Sequence, residues 1–313
     1  MMLDVLVLGE LNVDIILNRI DGFPEIGKEI LAKDFTATLG SSSAIFASNL
    51  ATLGASVAFV GKIGTDQFGE LIIDSLHAKG VHTDDIVRSS EHQTGSTIVL
   101  NYDMDRANIT YPGAMEHLDQ SEVTDDMLQK AKHLHVSSIF LQPALKSGLA
   151  TLFARAKKLG LTTSMDPQWD PAEQWDVDLE QLLPHVDVFL PNRKELKFLT
   201  RSESLEEGID KIKNYANTIV VKDGENGAVL AQKDQITRKA AFLNNEVTDC
   251  IGAGDSFDAG FISKYIQGAT PEQCLEFGNL TGAVNTTRAG GTGAFESIEL
   301  VRTIAKEKFS FSF

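Results

Sequence analysis

Two glycines and an aspartate precede an apolar segment late in the sequence, in the stretch TDCIGAGDSFDAGF at 248–261. Apolar residues follow at helical spacing, so Gly252 and Gly254 are predicted to open a helix. Free N–H groups at a helix amino end favour an anion. An aspartate there would repel that anion unless its role is to accept a proton. Asp255 is therefore predicted to be a general base beside a bound phosphate, and a glycine turn capped by Asp255 is the structural alternative.

The segments that must position these residues alternate between helix-like and strand-like patterns from Ser42 onward. Strands separated by helices favour βαβ units, so the predicted fold class is α/β, with a mainly parallel central sheet flanked by helices. Ligands of such sheets bind at the carboxyl ends of the strands, where Asp166, Asn192 and Lys222 fall. The predicted strands are 56–61, 133–141, 161–166, 186–192 and 218–224, and the predicted helices are 66–80 and 143–160.

Two regions do not fit this alternation. Residues 11–38 and 94–112 show period-two apolar spacing without helix signals, which predicts a small second sheet that acts as a lid. No linker divides the remainder, so residues 1–313 are predicted to form a single domain. Phenylalanine and serine alternate at the end of segment 306–313, which predicts a terminal edge strand.

Composition excludes several classes of function. A formal net charge of −16 opposes binding to nucleic acid or to an anionic membrane, although it does not exclude ATP. No apolar stretch approaches the about 20 residues that span a bilayer, and acidic residues interrupt the opening segment, so no signal peptide is expected. The two cysteines, Cys250 and Cys274, do not make a disulfide framework, and a cytoplasmic location is expected.

Three motifs resemble those of the ribokinase-like (PfkB) carbohydrate kinases. Residues 249–260 resemble the family's D-T-x-G-A-G-D-x-F-x-x-G signature, with Cys250 in place of threonine. Residues 8–16 resemble its G-E-x-x-x-D start, and residues 39–69 its glycine-rich helix and G-x-x-G-x-D-x-x-G turn. The resemblance implies a ribokinase-like fold with a β-sheet lid and transfer of the γ-phosphoryl group of ATP, with Mg²⁺, to a sugar hydroxyl. Relatives often dimerise through such lids.

The resemblance also implies roles for residues of the phosphate site. Asp255 is the implied catalytic base. The motif NRKE, with Asn192 and Glu195, is implied to help hold Mg²⁺ largely through water, and the alternative for these two residues is a helix capping box. The implied anion hole consists of Gly252, Ala253 and Gly254.

Two further segments resemble the nucleotide and cation loops of the family. KDGENGA resembles a K-x-G-x-x-G turn, so Lys222, Gly224 and Gly227 are implied to border the nucleotide, and a plain hairpin turn is the alternative. Asp249 and residues 288–294 resemble loops that bind a monovalent cation such as K⁺ in some relatives.

The implied sugar site lies near the start of the chain. Asp14 resembles the aspartate that binds sugar hydroxyls, with Asn12 as its neighbour, because vicinal hydroxyls need both acceptors and donors. A turn residue that closes a lid hairpin is the alternative for Asp14. Gly40 and Ser41 begin the segment that resembles the sugar-binding loop.

The chain departs from the family pattern at the sugar site. Ile45 stands where an asparagine is expected, and Asn49, one helical turn later, is either its substitute or a surface residue. The stretch DPQWD at 166–170 has Gln168 and Asp170 where the family has asparagine and arginine. These departures leave the identity of the sugar open.

Charge and alternative classes narrow the function. Acidic residues outnumber basic ones in the first lid segment, which favours a neutral sugar over a phosphosugar. An acid sugar, with Arg106 as its carboxylate partner, is the alternative substrate. A non-catalytic sugar sensor is a second alternative. A serine hydrolase using Ser256 is a third, although every histidine precedes Ser256.

Overall fold

The structure is a computed structural model that describes residues 2–102 and 105–313, without the side chains of Asp105 and Arg106. Its strands are β1 (Leu3–Leu8), β2 (Asn12–Ile20), β3 (Ala32–Leu39), β4 (Val57–Val60), β5 (Lys62–Gly64), β6 (Val87–Ser89), β7 (Gly95–Tyr102), β8 (Asp105–Tyr111), β9 (Ala131–Ser137), β10 (Thr162–Asp166), β11 (Val188–Phe189), β12 (Thr218–Lys222), β13 (Ala228–Gln232) and β14 (Gln235–Lys239). Its helices are α1 (Ser42–Thr52), α2 (Gln67–Ala78), α3 (Asp125–Leu128), α4 (Pro143–Lys146), α5 (Leu149–Lys158), α6 (Leu179–Leu182), α7 (Arg193–Thr200), α8 (Leu205–Ile212), α9 (Ala253–Tyr265), α10 (Pro271–Asn285) and α11 (Ile298–Phe309).

The central sheet has eight strands in the order β14-β13-β12-β11-β10-β9-β1-β4. The strands from β12 to β4 pair in parallel, while β13 and β14 are antiparallel. Alternate residues of β1 enter two different apolar clusters, Leu6 and Leu8 on one face and Val5 and Val7 on the other. Both faces of the sheet are therefore covered by helices, and the predicted α/β class is confirmed.

The second sheet has four strands in the order β3-β2-β7-β8 and is called the lid sheet below. It forms from the two segments that the period-two spacing singled out. β2 pairs antiparallel with β3 and parallel with β7, and β7 pairs antiparallel with β8. One face is polar and includes Asn12 and Asp14, because successive side chains of a strand point to opposite faces. The other face is apolar and includes Ile15, Ile98 and Ile109.

Three sequence predictions about elements need correction. The strand predicted over 133–141 ends at Ser137, because Ser138 adopts a left-handed backbone with φ of 57°. The helix predicted over 143–160 is two helices, α4 and α5, separated at residues 147–148. The tail is no edge strand, because α11 begins at the Ser297 cap and continues to Phe309.

The phenylalanines of the tail pack against side chains instead of pairing as a strand. The Phe311 ring centroid lies 5.7 Å from that of Phe242, and the Phe313 centroid lies 4.8 Å from that of Phe277. Aromatic pairs at such distances stabilise the contact beyond the burial of their area.

Across the described residues, no helix is long and apolar enough to cross a membrane.

Candidate active site

A cavity of about 990 Å³ is lined both by the carboxyl ends of central strands and by the polar face of the lid sheet. Most of the predicted site residues line it together: Asn12, Asp14, Ser41, Asn192, Glu195, Lys222, Gly224, Gly227, Gly252, Ala253, Gly254 and Asp255. Gly40 and Asp249 are not among its lining residues. Arg106 lies in β8 with its backbone paired to Asn101, and its side chain is outside the described part of the chain.

The amino end of α9 forms one wall of the cavity. Gly252 caps the helix with φ of 75°, and a Cβ there would lie 2.6 Å from the Cα of Gly291, so only glycine fits. The first intrahelical bond runs from the Ser256 N–H to the Gly252 carbonyl oxygen at 2.8 Å. The amides of Gly254 and Asp255 precede it and have no intrahelical acceptor. Asp255 lies in the first turn and not at the cap, so the alternative of a turn capped by Asp255 is wrong.

The carboxyl group of Asp255 is buried, with 7% of the residue exposed. Gln168 Nε2 donates to Asp255 Oδ1 at 2.9 Å. Burial raises the pKa of Asp255 well above its ordinary value, the charge of Asp166 raises it further, and Lys222 opposes both. A carboxyl group with a raised pKa in a cavity is a typical proton acceptor or donor in catalysis.

Lys222 lies at the centre of a buried ion-pair cluster. Its Nζ donates to Asp166 Oδ2 at 2.7 Å and to Asp258 Oδ2 at 2.9 Å. Burial alone would lower the pKa of Lys222, but the two carboxylates outweigh burial and raise it. The ammonium group is thus held charged and bonded within the protein, although the residue borders the cavity.

Asn192 and Glu195 form the capping box that the sequence offered as an alternative. The Glu195 N–H donates to Asn192 Oδ1 at 2.9 Å, and the Asn192 N–H donates to Glu195 Oε2 at 2.8 Å. Glu195 is nevertheless buried at the cavity, and burial, with repulsion from Asp166, raises its pKa to about 8. A cation bound nearby would stabilise its charged form.

Glu10 is a cavity residue that the sequence reasoning did not single out. It is 1% exposed, its Oε1 accepts the Ser43 N–H at 3.3 Å, and its Oε2 accepts the Ser43 hydroxyl. Burial raises its pKa to about 7. Its position in the GELNVD motif, between an apolar strand and two predicted site residues, was the available signal.

The lid sheet presents a ladder of polar side chains to the cavity. Asn12 Nδ2 donates to Asp14 Oδ1 and to Thr97 Oγ1, both at 3.0 Å, and the hydroxyls of Thr97 and Thr110 lie 3.0 Å apart. Asp14 lies within β2, so the alternative of a turn residue is wrong. A Cβ on Gly40 would lie 2.3 Å from Asp14 Oδ1, which explains the glycine there.

Helix α1 contains Asn49, for which the sequence predicts either a sugar ligand or a surface residue. Ser41 caps α1, and its hydroxyl accepts the Ala44 N–H at 3.0 Å. Asn49 is fully buried and donates to Ser256 Oγ at 2.8 Å and to the Gly291 carbonyl oxygen at 2.9 Å, so it is neither a surface residue nor a sugar ligand.

Ser256 is the residue on which a serine hydrolase would depend. It is fully buried, and its hydroxyl donates to Asn285 Oδ1 at 2.9 Å. Among the described contacts none joins it to a histidine, so it is not an activated nucleophile.

Two loops carry the remaining predicted nucleotide and cation residues. Gly224 and Gly227 lie in the hairpin turn between β12 and β13, as the hairpin alternative predicts. The two glycines also line the cavity, so the turn can still border a nucleotide. Asp249 ties two loops together, because its carboxylate accepts the Ile251 N–H and the Gly290 N–H, each at 2.9 Å.

Sequence reasoning missed the apolar end of the cavity. Its residues come from a loop after β14 and from α10, and neither segment contains a recognisable motif: Ala241, Phe242, Leu243, Val247 and Ala283. The tail supports this wall through the contact between Phe311 and Phe242.

Comparison with known proteins decides the family. The sequence model described as pfkB family carbohydrate kinase matches residues 2–298. The chain belongs to the pfkB family. It is therefore a carbohydrate kinase, which phosphorylates a hydroxyl group.

Relatives of this carbohydrate kinase cover almost the whole chain. Probable fructokinase-5 of Arabidopsis thaliana is 28% identical, covering 92% of this chain and 95% of the relative. The ATP-dependent ribose-1-phosphate kinase of Halopiger xanaduensis is 28% identical over 98% of this chain and 100% of the relative. The structure of Arabidopsis thaliana ribokinase complexed with ribose and ATP has a TM-score of 0.84 and 24% identity, and the match covers 98% of this chain and 99% of that one. This similarity confirms the ribokinase-like fold.

Proposed function

We propose that this kinase transfers the γ-phosphoryl group of ATP to a hydroxyl group of a small neutral sugar, fructose-like or ribose-like. The observation that carries the proposal is the single cavity in which the amino end of α9 and Asp255 meet the polar face of the lid sheet. Phosphoryl transfer needs an anion site, a proton acceptor and a hydroxyl-binding surface within one water-excluding space. The cavity offers all three.

In the proposed reaction Asp255 removes the proton of the acceptor hydroxyl. The acceptor oxygen forms a bond to the γ-phosphorus, the bond from phosphorus to the β–γ bridging oxygen breaks, and ADP leaves. The amides of Gly252 and Gly254 stabilise the charge on the transferred group, because they lie at the positive end of the α9 dipole, whereas the Ala253 N–H already donates to the Cys250 carbonyl oxygen at 3.3 Å. Closure of the lid sheet over the sugar excludes water and so limits hydrolysis of ATP.

The residues at the phosphate side suit Mg²⁺. Carboxylate and amide oxygens are the ligands that Mg²⁺ prefers, and Asn192 with Glu195 supplies them, largely through water. Their mutual hydrogen bonds fix the two side chains before any ion binds. Bound Mg²⁺ supplies charge neutralisation at the phosphates. For K⁺, both oxygens of Asp249 already accept backbone N–H groups, so residues 288–294 would contribute carbonyl oxygens to a K⁺ site.

Charge favours a neutral acceptor. Among the described side chains that line the cavity, the acidic ones outnumber the single basic one: Glu10, Asp14, Glu195, Glu225 and Asp255 against Lys222. Lys222 is bonded to Asp166 and Asp258, so it does not balance the charge of an acid sugar or a phosphosugar. The polar ladder around Asn12 and Asp14 instead suits vicinal hydroxyls. An acid sugar would depend on Arg106.

We further propose that the chain is a single domain and that it dimerises through the outer face of the lid sheet. That face is apolar and exposed: Phe35 is 67%, Ile109 63% and Tyr111 50% exposed. A second copy would bury these side chains. Light scattering on wild type and on Ile109→Lys tests this, and a monomeric mass for the wild type would contradict it.

Free Cys250 and Cys274 suit a reducing compartment, and we propose the cytoplasm.

The proposed function is tested by ADP release with Mg²⁺ across fructose, ribose, 2-keto-3-deoxygluconate, a nucleoside and fructose 6-phosphate. Turnover with a neutral sugar should fall about 10²- to 10⁴-fold in Asp255→Asn. Asp126→Asn, an exposed aspartate in the first turn of α3, is the matched control. Preference for 2-keto-3-deoxygluconate would favour the acid-sugar alternative. Binding of sugar and ATP without turnover would favour the sensor.

A further inference from the structure

The side-chain amide of Gln168 lies between two buried carboxyl groups. Its Nε2 is 2.6 Å from Asp166 Oδ2 and 2.9 Å from Asp255 Oδ1, and it donates to both. Asp166 Oδ2 also accepts from Lys222, which in turn donates to Asp258. Gln168 therefore joins the proposed base to the buried ion-pair cluster.

The backbone of Gln168 is constrained to make this contact. Its φ is 60°, in the left-handed region that residues with a Cβ rarely adopt. Its N–H donates to Asp166 Oδ1 at 3.3 Å, so backbone and side chain bind the same carboxylate. Unfavourable backbone conformations of this kind persist where the surrounding structure imposes them, and they concentrate at functional sites.

The chemistry of an amide suits this position. The nitrogen of a glutamine side chain carries two hydrogens, so it can donate one to each carboxylate at once, and it does not titrate. Hydrogen bonds donated to a carboxylate stabilise its charged form. The other groups that face Asp255 act in both directions: Asp166 and Glu10 repel its charge, and Lys222 and the Ser42 hydroxyl favour it.

We propose that Gln168 is a positioning residue that orients the carboxylate of Asp255 and favours its ionised form against the repelling charge of Asp166. This inference rests on the proposed role of Asp255 as the base. Gln168 separates the two carboxylates with a neutral donor, which leaves Asp255 able to take the proton of the acceptor hydroxyl.

The first experiment does not require turnover. Aspartate labelled with ¹³C at the side-chain carboxyl reports titration by NMR, and Asp255→Asn identifies the resonance of Asp255. In Gln168→Met, which has a similar length but no N–H, the pKa of Asp255 should rise by about one unit or more. Gln142→Met is the matched control, because among the described contacts the buried Gln142 side chain donates only to the backbone carbonyls of Ser137 and Ser138. An unshifted Asp255 resonance in folded Gln168→Met would overturn the proposal.

The second experiment uses the sugar that the kinase phosphorylates. In Gln168→Met, the acid limb of the pH profile of kcat/KM should move to higher pH by the amount that NMR gives for the rise in the Asp255 pKa. In Gln142→Met, the acid limb should stay in place. A uniform loss at every pH, with the limb unmoved, would mean that Gln168 has only a structural role. If Gln168→Met does not fold, Gln168→Asn, which is one methylene too short to reach both carboxylates, takes its place. A wild type that phosphorylates no sugar refutes the proposed function, while the NMR titration still tests Gln168.

Discussion

Replacement of Lys222 by methionine tests the buried ion-pair cluster. The side chains of Lys222, Asp166 and Asp258 are 11%, 1% and 1% exposed, so the substitution leaves two buried carboxylates without their cation. Removal of one partner from a buried pair costs about 3–5 kcal/mol of unfolding free energy, because the remaining charge is uncompensated. Methionine has a similar length, so packing changes little.

The matched control is Lys157→Met. Lys157 contacts Asp187 at 2.7 Å, the same distance as one of the Lys222 contacts, but these side chains are 35% and 20% exposed. Partly solvated pairs contribute about 1 kcal/mol or less, so the control should lose far less stability. Urea unfolding of both variants and of the wild type measures the difference.

The loss in Lys222→Met should also depend on pH. Burial already raises the pKa of Asp258, and the removal of Lys222 raises it further. A carboxyl group whose folded-state pKa lies above its unfolded value costs stability as pH rises, because its ionisation is disfavoured only in the folded protein. The deficit should therefore be small near pH 4 and larger at pH 8. Equal losses in both lysine variants, or a deficit independent of pH, would refute this reasoning.

Three further predictions concern the cavity. Gly40→Ala should raise KM for the sugar about tenfold with a smaller effect on kcat, because the new Cβ would lie 2.3 Å from Asp14 Oδ1 and displace it. The free energy of unfolding of Glu10→Gln should increase by about 2–3 kcal/mol relative to that of the wild type as pH rises from about 4.5 to above 7. Burial raises the Glu10 pKa to about 7, so ionisation of Glu10 destabilises the folded wild type in this range. Thermal unfolding at pH 5 and pH 8 checks this, and a stability difference that is smaller at pH 8 would contradict it. We expect the apolar wall around Phe242 to receive the base of ATP, and the Phe311 ring supports Phe242. Phe311→Ala should therefore raise KM for ATP roughly three- to tenfold without a matching fall in kcat, and an unchanged KM would place that wall outside the nucleotide site.

Features that depend on neighbouring residues were accessible from the sequence. The turn before α9 follows from the spacing of Gly252, Gly254 and the apolar residues after them, and the capping box of Asn192 and Glu195 follows from a separation of three. The lid sheet follows from period-two alternation. The alternating phenylalanines of the tail at 306–313 predict a strand, but they are equally compatible with the end of a helix followed by a packed extension, which is what forms.

The sequence alone therefore determined the alternation of helices and strands that marks the α/β class, the family motifs and the identity of the proposed base. Only the tertiary structure decided what surrounds that base: Lys222 meets Asp166 across 56 residues, Gln168 meets Asp255 across 87, and Asn49 meets Ser256 across 207. Local periodicity encodes which face of an element is apolar, but it carries no record of which distant polar group completes a buried hydrogen bond. Partners at such separations are fixed when strands and helices pack, because a buried charge or amide must then find a partner.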